Sequence, residues 1–372
     1  MTAMTAAIAV AFGGPSPEHD VSILTGLQAA HELARAGRHV SCLYWSKSGD
    51  WWRVRATAEP AEFVEGVPTG ADPVRLVVGE GGGFQLGGRF GRTRPLELDV
   101  VVNCCHGGPG EDGSLQAALD LAGVRYTGPS VAGAALGMDK LAFAGVVSAA
   151  GLPVLARQPL TPHWRDPEHP GPYIVKPRFG GSSIGIDVVE DADTARARLA
   201  ANPHLRRGAV IEPYRPDLTD LNVAVRRWPV PSCSAVERPL RGASSPEILG
   251  YADKYVGAEG MAGAPRELPA AIDDELAHRL VAAASAVAEL CMVRGVARVD
   301  FLSDGTTFYV NEINTIPGSL GRYLWIDPEV PFLELLDGLI DEALAAPAVV
   351  HSTAGADGTV LRAAGEIAAK LG

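Results

Sequence analysis

Residues 7 to 45 alternate an apolar run, a helix-periodic segment and a second apolar run, and few architectures accept that order. The run 7-AIAVAF has the length of a strand and stops at Gly13-Gly14-Pro15. In the segment that follows, Val21, Leu24, Leu27, Ala30 and Leu33 recur at helical spacing, and Gly37 supplies a stop. The run 39-HVSCLYW then reads as a second strand. Strand, helix, strand opens a doubly wound α/β domain.

The same reading divides the rest of the chain. A hairpin is expected in 45-WSKSGDWWRV, a loose glycine-rich connection in 79-GEGGGFQLGGRFGR, and a buried strand in 98-LDVVVNCC ahead of the loop 106-HGGPGEDG and a helix. Residues 1–128 form this first α/β domain. Residues 129–211 read as a small α+β module with a helix through 138-MDKLAFAGVVSAAGL, strands 173-YIVKP and 184-IGIDVV, and a helix from 191-DADTARARLA. The strand 208-GAVIEPY leads into residues 212–346, where the helix 273-DDELAHRLVAAASAVAEL precedes strands 296-VARVDFL and 307-TFYVNEIN. Residues 347–372 read as a linker and a short terminal helix.

Composition narrows the function. An apolar fraction of 47% with 20% charged residues suits a globular enzyme and excludes a mainly disordered chain. The net charge of −12 excludes a nucleic-acid binder that works by phosphate neutralisation, yet leaves room for a local basic pocket. Five cysteines, two of them adjacent (Cys104 and Cys105), point to free thiols in a reducing cytosol. The start 1-MTAMTAAIAVAFGG has no basic region and too short an apolar run for a secretion signal. No window is long and apolar enough to span a bilayer. A cytoplasmic protein without nucleic-acid or membrane partners is the expectation.

The stretch 176-KPRFGGSSIG-185 carries the first chemical signal. A strand delivers Lys176 to a glycine-rich loop whose backbone amides can wrap an anion, and a polyphosphate suits that pairing. It is not a Walker A loop, which places lysine after the glycines, and it lacks the GxGxxG spacing of a dinucleotide site. A surface turn is the plain alternative, but an unpaired ammonium on an otherwise buried strand is costly, so a partner anion is expected.

The second signal is 298-RVD-300 with 312-EIN-314. Residues two apart on a strand share a face, so Arg298 and Asp300 point together, as do Glu312 and Asn314. Two carboxylates and a carboxamide oxygen make an oxygen-rich site suited to magnesium. A two-residue turn at Asp304-Gly305 would pair residue 300 with 309 and put Asp300 and Glu312 on opposite faces. A shared metal therefore requires an odd-length loop or a bulge. The segment 251-YADKYVG, a lysine between aromatics, taken alone reads as a surface loop.

These motifs together resemble the D-alanine–D-alanine ligases of the ATP-grasp superfamily. The matching stretches run in order over most of the chain: 13-GGPSPEHDVS, 106-HGGPGEDGSLQAALDLAGVRYTG, 138-MDK, 176-KPRFGGSSIG, 251-YADKY, 298-RVD and 312-EINTIPG. The resemblance implies an ATP-grasp fold, α/β in class, with a doubly wound N-terminal domain and two further ATP-grasp units. It implies an ATP-dependent ligase that joins two amino acids, or an amino acid and another small acid, through an acyl phosphate. Lys140, Lys176 and Ser183 would serve the ATP phosphates, and Glu212 the adenine hinge. Asp220 would serve the ribose, with a one-residue shift in alignment, and Lys254 the transferring phosphate. Asp300, Glu312 and Asn314 would hold two magnesium ions, with manganese as a substitute. Glu18, tied to Ser182 and Tyr255, would receive the amino group of the first amino acid. Arg298 and the Gly318 amide would stabilise the oxyanion, and His106 belongs to the substrate loop. Relatives of this kind are commonly homodimers.

The resemblance changes after the metal motif. The family continues with PG[MF]T and a serine-leucine pair before a proline, whereas this chain reads 317-PGSLGRYLWIDPE. Ser319 arrives early, and Arg322, a bidentate donor, is expected to bind a substrate carboxylate beside Tyr323 and Trp325. Three readings follow. One is a specialised relative with another donor or acceptor, as in small-molecule biosynthesis. Another is an authentic D-alanine–D-alanine ligase of peptidoglycan synthesis. The third is a nucleotide-binding regulatory module without catalysis.

Overall fold

The computed structural model describes residues 2–87, 92–164, 169–240, 265–347, 349, 352–364, 366–367 and 370. The first sheet is built from β1 (Ala7–Gly13), β2 (His39–Trp45), β3 (Trp51–Val54), β4 (Asp72–Val77), β5 (Gly83–Gly87), β6 (Thr93–Pro95) and β7 (Val100–Asn103). Their order is β6-β5-β4-β3-β2-β1-β7. Only the β2-β1-β7 core is parallel, and the outer strands add as an antiparallel meander. The glycine-rich stretch expected to be a loose connection holds β5. There Phe84 and Leu86 alternate inward and are buried, a period of two that the surrounding glycines mask in sequence.

Helix α1 (His19–Arg35) packs on this sheet through Ile23, Leu27, Ala30 and Leu33; the last three belong to the stripe expected from sequence, while Ile23 takes the core place expected of Leu24, which is half-buried. Gly26 is required there, because a Cβ would sit 2.4 Å from the Phe12 ring. Behind β7 come α2 (Gly108–Glu111) and α3 (Ser114–Leu121).

The single helix expected through residue 138 is two, α4 (Val131–Met138) and α5 (Lys140–Ala149). Asp139 breaks them because its carboxylate accepts the Leu141 and Ala142 amides, so it acts as an N-cap rather than a helix interior. The Lys140 amide meanwhile donates to the Arg178 carbonyl at 3.1 Å, fastening the break to the glycine-rich loop.

The second sheet comprises β8 (Gln158–Leu160), β9 (Tyr173–Pro177), β10 (Asp187–Val189) and β11 (Ala209–Pro213), all antiparallel in the order β10-β9-β11-β8, with α6 (Ala192–Ala201) against it. The strand expected from residue 184 begins at Asp187. Ser182 and Ser183 before it adopt left-handed backbone with φ of 52° and 58°, a conformation costly for serine and common where a site is built.

The third sheet has β12 (Thr219–Arg226), β13 (Ser232–Cys233), β16 (Val296–Ser303) and β17 (Phe308–Asn314) in the order β13-β12-β16-β17. A short ribbon of β14 (Arg238–Pro239) and β15 (Arg266–Glu267) stands beside it. One face of β12 and β16 presents Leu221, Val223, Val225, Val299 and Phe301 to α7 (Asp274–Leu290), whose Leu276, Leu280, Ala284 and Val287 fall on one side. Fully burying each such leucine or valine contributes roughly 1.5–3 kcal/mol. Alternation then forces Asn222, Arg298 and Asp300 onto the opposite face. Helix α8 (Phe332–Ala345) completes the core. All five cysteines are free thiols.

Candidate active site

The polar face of the third sheet and the facing side of β9 and β11 enclose one cavity, lined by Lys140, Lys176, Ser183, Glu212, Asp220, Arg298, Asp300 and Glu312 among others.

Its inner end is a buried charge cluster. Lys176 Nζ donates to Glu212 Oε2 at 2.9 Å and to Asn311 Oδ1 at 3.3 Å. Arg157 Nε stands 2.7 Å from Glu212 Oε1. The same guanidinium donates to the carbonyls of Lys140 at 2.6 Å and Asn311 at 3.1 Å. Burial pushes the Glu212 carboxyl up, but Arg157 and Lys176 outweigh it and hold the group below its ordinary range. Two cations on one carboxylate leave a positive balance facing the cavity, which suits a polyphosphate. Sequence reading missed Arg157, because a single arginine before a three-residue edge strand gives no pattern.

Lys140 Nζ lies 3.2 Å from Glu312 Oε2 and donates to the Gly180 carbonyl. Arg178 clasps Asp139 through Nε and Nη2 at 2.7 and 2.6 Å. The loop, the helix break and the β17 carboxylate are thereby tied together.

Asp300 and Glu312 are directly paired between β16 and β17. The ladder runs from Ser303↔Phe308 to Phe301↔Val310, then shifts by one, so Asn311 is an extra residue. Without that bulge Glu312 would point into the core. The bulge also turns the Asn311 carbonyl to Arg157. Asp300 accepts both Arg298 Nε at 2.6 Å and Nη2 at 2.7 Å, and Asn314 Nδ2 at 3.0 Å. An Asn amide is swapped by a half-turn, so its oxygen can serve a cation equally well. Among the described residues no three carboxylate, imidazole or thiolate groups converge. The donor set is two carboxylates and a carboxamide, hard oxygens that fit magnesium.

The third group lies at the N-terminal domain. Glu18 precedes α1 and accepts the Ser182 hydroxyl. Glycine is needed around it, since a Cβ on Gly107 would fall 2.3 Å from Glu18 Oε2. Glu111, which sequence reading did not single out, accepts the Gly107 amide at 2.9 Å, the Ile316 amide at 3.0 Å and the Thr315 hydroxyl at 3.2 Å. Burial, then the Glu18 charge, raise its carboxyl to about 7. His106 Nε2 lies 2.8 Å from Thr25 Oγ1, which accepts the Ser319 amide at 3.0 Å. Burial, and less so Arg298, lower the His106 imidazole to about 4, so it is neutral at physiological pH. Gly318 leads into a left-handed turn of Ser319, Leu320 and Gly321, with φ of 52°, 53° and 65°.

Arg322, expected in the substrate pocket, lies instead over the Phe332 ring at 5.2 Å and does not line the cavity. Trp325 is core, with Arg226 on its face. The left-handed turn rotates these side chains toward α8. Tyr323 alone of the three reaches the site, its hydroxyl 3.5 Å from Arg298 Nη1. Lys254 and Tyr255 lie outside the described residues.

Family models of the D-ala D-ala ligase N-terminus and C-terminus match residues 7–129 and 165–340. The chain belongs to the D-alanine–D-alanine ligase family. It is thus an ADP-forming ATP-grasp ligase that makes a C–N bond. A D-alanine–D-alanine ligase of Bradyrhizobium sp. (strain BTAi1) is 32% identical over 92% of this chain and 96% of its own length. The structure of the D-alanine–D-alanine ligase from Coxiella burnetii aligns with a TM-score of 0.73 and 25% identity, over 92% of this ligase and 94% of that one. VanG D-Ala:D-Ser ligase from Enterococcus faecalis aligns with a TM-score of 0.70 and 25% identity, over 90% and 98%. Structures named for two different acceptors therefore share this fold.

Proposed function

We propose that this ligase uses ATP to convert the carboxylate of one amino acid into an acyl phosphate, and joins it to the amine of a second amino acid other than D-alanine. Lys140, Lys176 and Ser183 receive the phosphates, Glu212 and Asp220 the nucleoside, and Asp300, Glu312 and Asn314 two magnesium ions. When bound there, the ions would supply charge neutralisation for the transferring phosphoryl group. The observation that carries the reading is the convergence of both lysines and the paired carboxylates Asp300 and Glu312 on one cavity.

Glu18, with Ser182, holds the first ammonium. Arg298 and the Gly318 amide face the developing oxyanion. Arg298 pairs with Asp300 and Lys140 with Glu312, so both carboxylates that would hold the ions stand beside cationic side chains. Lys254 and Tyr255 are assigned to the phosphate and to the first amino acid by the family resemblance alone.

The acceptor assignment rests on the segment from Gly318 to Trp325, in which the Tyr323 hydroxyl lies at Arg298 while Arg322 stacks on Phe332. The other reading, an authentic D-alanine–D-alanine ligase, is favoured by the names of the relatives. A homodimer in the cytoplasm completes the proposal. Among the described residues no helix is long and apolar enough to cross a membrane.

An ADP-release screen over pairs of D- and L-amino acids, with products identified by mass, tests it. Magnesium-dependent ADP release with a mixed dipeptide as product is expected. Silence with every pair contradicts the reading, and D-alanyl-D-alanine as the best product replaces it with the authentic ligase.

A further inference from the structure

We infer that Thr25 is a positioning residue for the ligation step, which with His106 fixes the segment whose Gly318 amide faces the oxyanion; this rests on the ligase reading above. In α1, Ser22 and Thr25 follow Glu18 at spacings of four and three residues, which puts the three on one face. Ser22 Oγ accepts the Gly13 amide at 2.7 Å and donates to the Cys104 carbonyl at 2.8 Å. Thr25 is only 1% exposed. A hydroxyl so deeply buried requires partners. Thr25 finds them across the site: Oγ1 accepts the Ser319 amide at 3.0 Å and lies 2.8 Å from His106 Nε2.

These bonds run in one direction. A backbone bond to Ile316 favours the charged imidazole, so His106 makes it as a donor, to the Ile316 carbonyl. Burial keeps the ring neutral at physiological pH. A neutral imidazole that donates through one nitrogen accepts through the other. Nε2 therefore takes the Thr25 proton, and Thr25 Oγ1 takes that of the Ser319 amide. Residues of the N-terminal domain thus grip Ile316 and Ser319, the two ends of a four-residue stretch with Pro317 and Gly318 between. Glu111 adds a hold on the Thr315 hydroxyl and the Ile316 amide.

What the grip controls is the Gly318 amide. Gly318 is buried, and its N–H has no acceptor among the described residues. Such a group is costly unless something accepts from it. An oxyanion formed beside Arg298 would be that acceptor. Ser319 and Leu320, next along, have φ of 52° and 53°, a conformation that residues other than glycine keep only where their surroundings impose it. The bond from the Ser319 amide to Thr25 is such a restraint. Without it the turn can relax and carry the Gly318 amide off its line.

The test uses the full-length enzyme in single turnovers, with the donor fixed as the amino acid that releases most ADP in the screen. Borohydride quenching reduces an acyl phosphate to an alcohol, so intermediate and peptide are counted separately. The first step builds charge on the phosphoryl group and the second on the carbonyl oxygen, so a misplaced amide slows the second. Thr25→Val keeps the shape and removes both hydrogen bonds. In it peptide formation should fall by about 10- to 100-fold, the cost of roughly an ångström of misplacement, while the trapped alcohol forms within about a factor of three of the wild-type rate. Thr25→Ser, which keeps the hydroxyl, should restore the peptide. Thr25→Ala, with room for a water in place of the hydroxyl, takes the place of the valine variant if that one does not fold. Alcohol and peptide falling together, both staying unchanged, or a serine variant as slow as valine overturns the assignment of Thr25 alone. A wild type that yields no alcohol with any donor overturns the ligase reading and this inference with it.

Discussion

Asp300 faces Glu312 across β16 and β17 because β17 carries one extra residue, Asn311, at the point where the two would otherwise fall on opposite sides of the sheet. The same residue gives its carbonyl to Arg157 and its side chain to Lys176. One bulge thereby joins the carboxylate pair to the phosphate lysine.

Asp300→Asn and Glu312→Gln should each cut magnesium-dependent ADP formation by more than the about 10- to 100-fold typical of residues one layer outside a metal. Each change replaces a charged oxygen ligand with a neutral amide. Rates measured against magnesium concentration decide it. A magnesium dependence like that of the wild type in either variant removes that residue from the site.

Arg157→Ala should destabilise the fold by about 3–5 kcal/mol, because it strips one cation from a buried pair. Glu212, wholly buried, would keep only Lys176. Urea unfolding measures the loss, and the KM for ATP should rise as Lys176 is pulled toward the carboxylate. A stability within 1 kcal/mol, about the value of a surface pair, would contradict the geometry.

Much of this arrangement was legible in the chain and some was not. Helix α1 with Leu27, Ala30 and Leu33 inward, Lys176 on a strand and the i, i+2 pairs at 298–300 and 312–314 follow from period alone. The need for a bulge was also readable, though its place was not, because the partners that mark Asn311, Arg157 and Lys176, are remote in sequence. Arg157 and Glu111 escaped for the same reason. Arg157 gathers partners from Lys140, Glu212 and Asn311, and Glu111 from Gly107, Thr315 and Ile316, all remote in sequence. Arg322 was misplaced because a left-handed turn at Ser319 and Leu320 has no signature in residues that are not glycine.

Glu18→Gln should raise the KM for the first amino acid by about 10-fold or more while the ATP KM stays within a factor of three, since a charged partner for an ammonium is lost. Ser182, which donates to Glu18, should show the same selectivity as Ala on a smaller scale. Initial-rate kinetics with each substrate varied separately would show it. A large loss of nucleotide affinity in Glu18→Gln would count against the assignment.

Glu111 and His106 set opposing pH dependences of stability. The Glu111 carboxyl is raised from 4.5 to about 7, so its contribution is complete below pH 4.5 and is lost as pH rises through 7. His106 is lowered from 6.5 to about 4, so its contribution is present above pH 6.5 and lost as pH falls through 4. In His106→Gln the Glu111 effect should stand uncovered, with stability falling between pH 5 and 7.5 at a rate on the order of 1 kcal/mol per pH unit. Denaturant unfolding across that range checks it. A variant whose stability rises with pH there would contradict the sign.

The central claim is that the donor carboxylate is activated as an acyl phosphate within this cavity. The direct measurement uses a donor amino acid labelled with ¹⁸O in its carboxylate, turned over with ATP, magnesium and acceptor. A carboxylate oxygen attacks the γ-phosphorus, the amine then attacks the carbonyl carbon, and the C–O bond to phosphate breaks. One ¹⁸O should therefore appear in each inorganic phosphate released, as read by mass spectrometry or by the ³¹P shift. Phosphate carrying no label, with ADP and peptide still formed, would show that the carboxylate is never phosphorylated and would contradict the account.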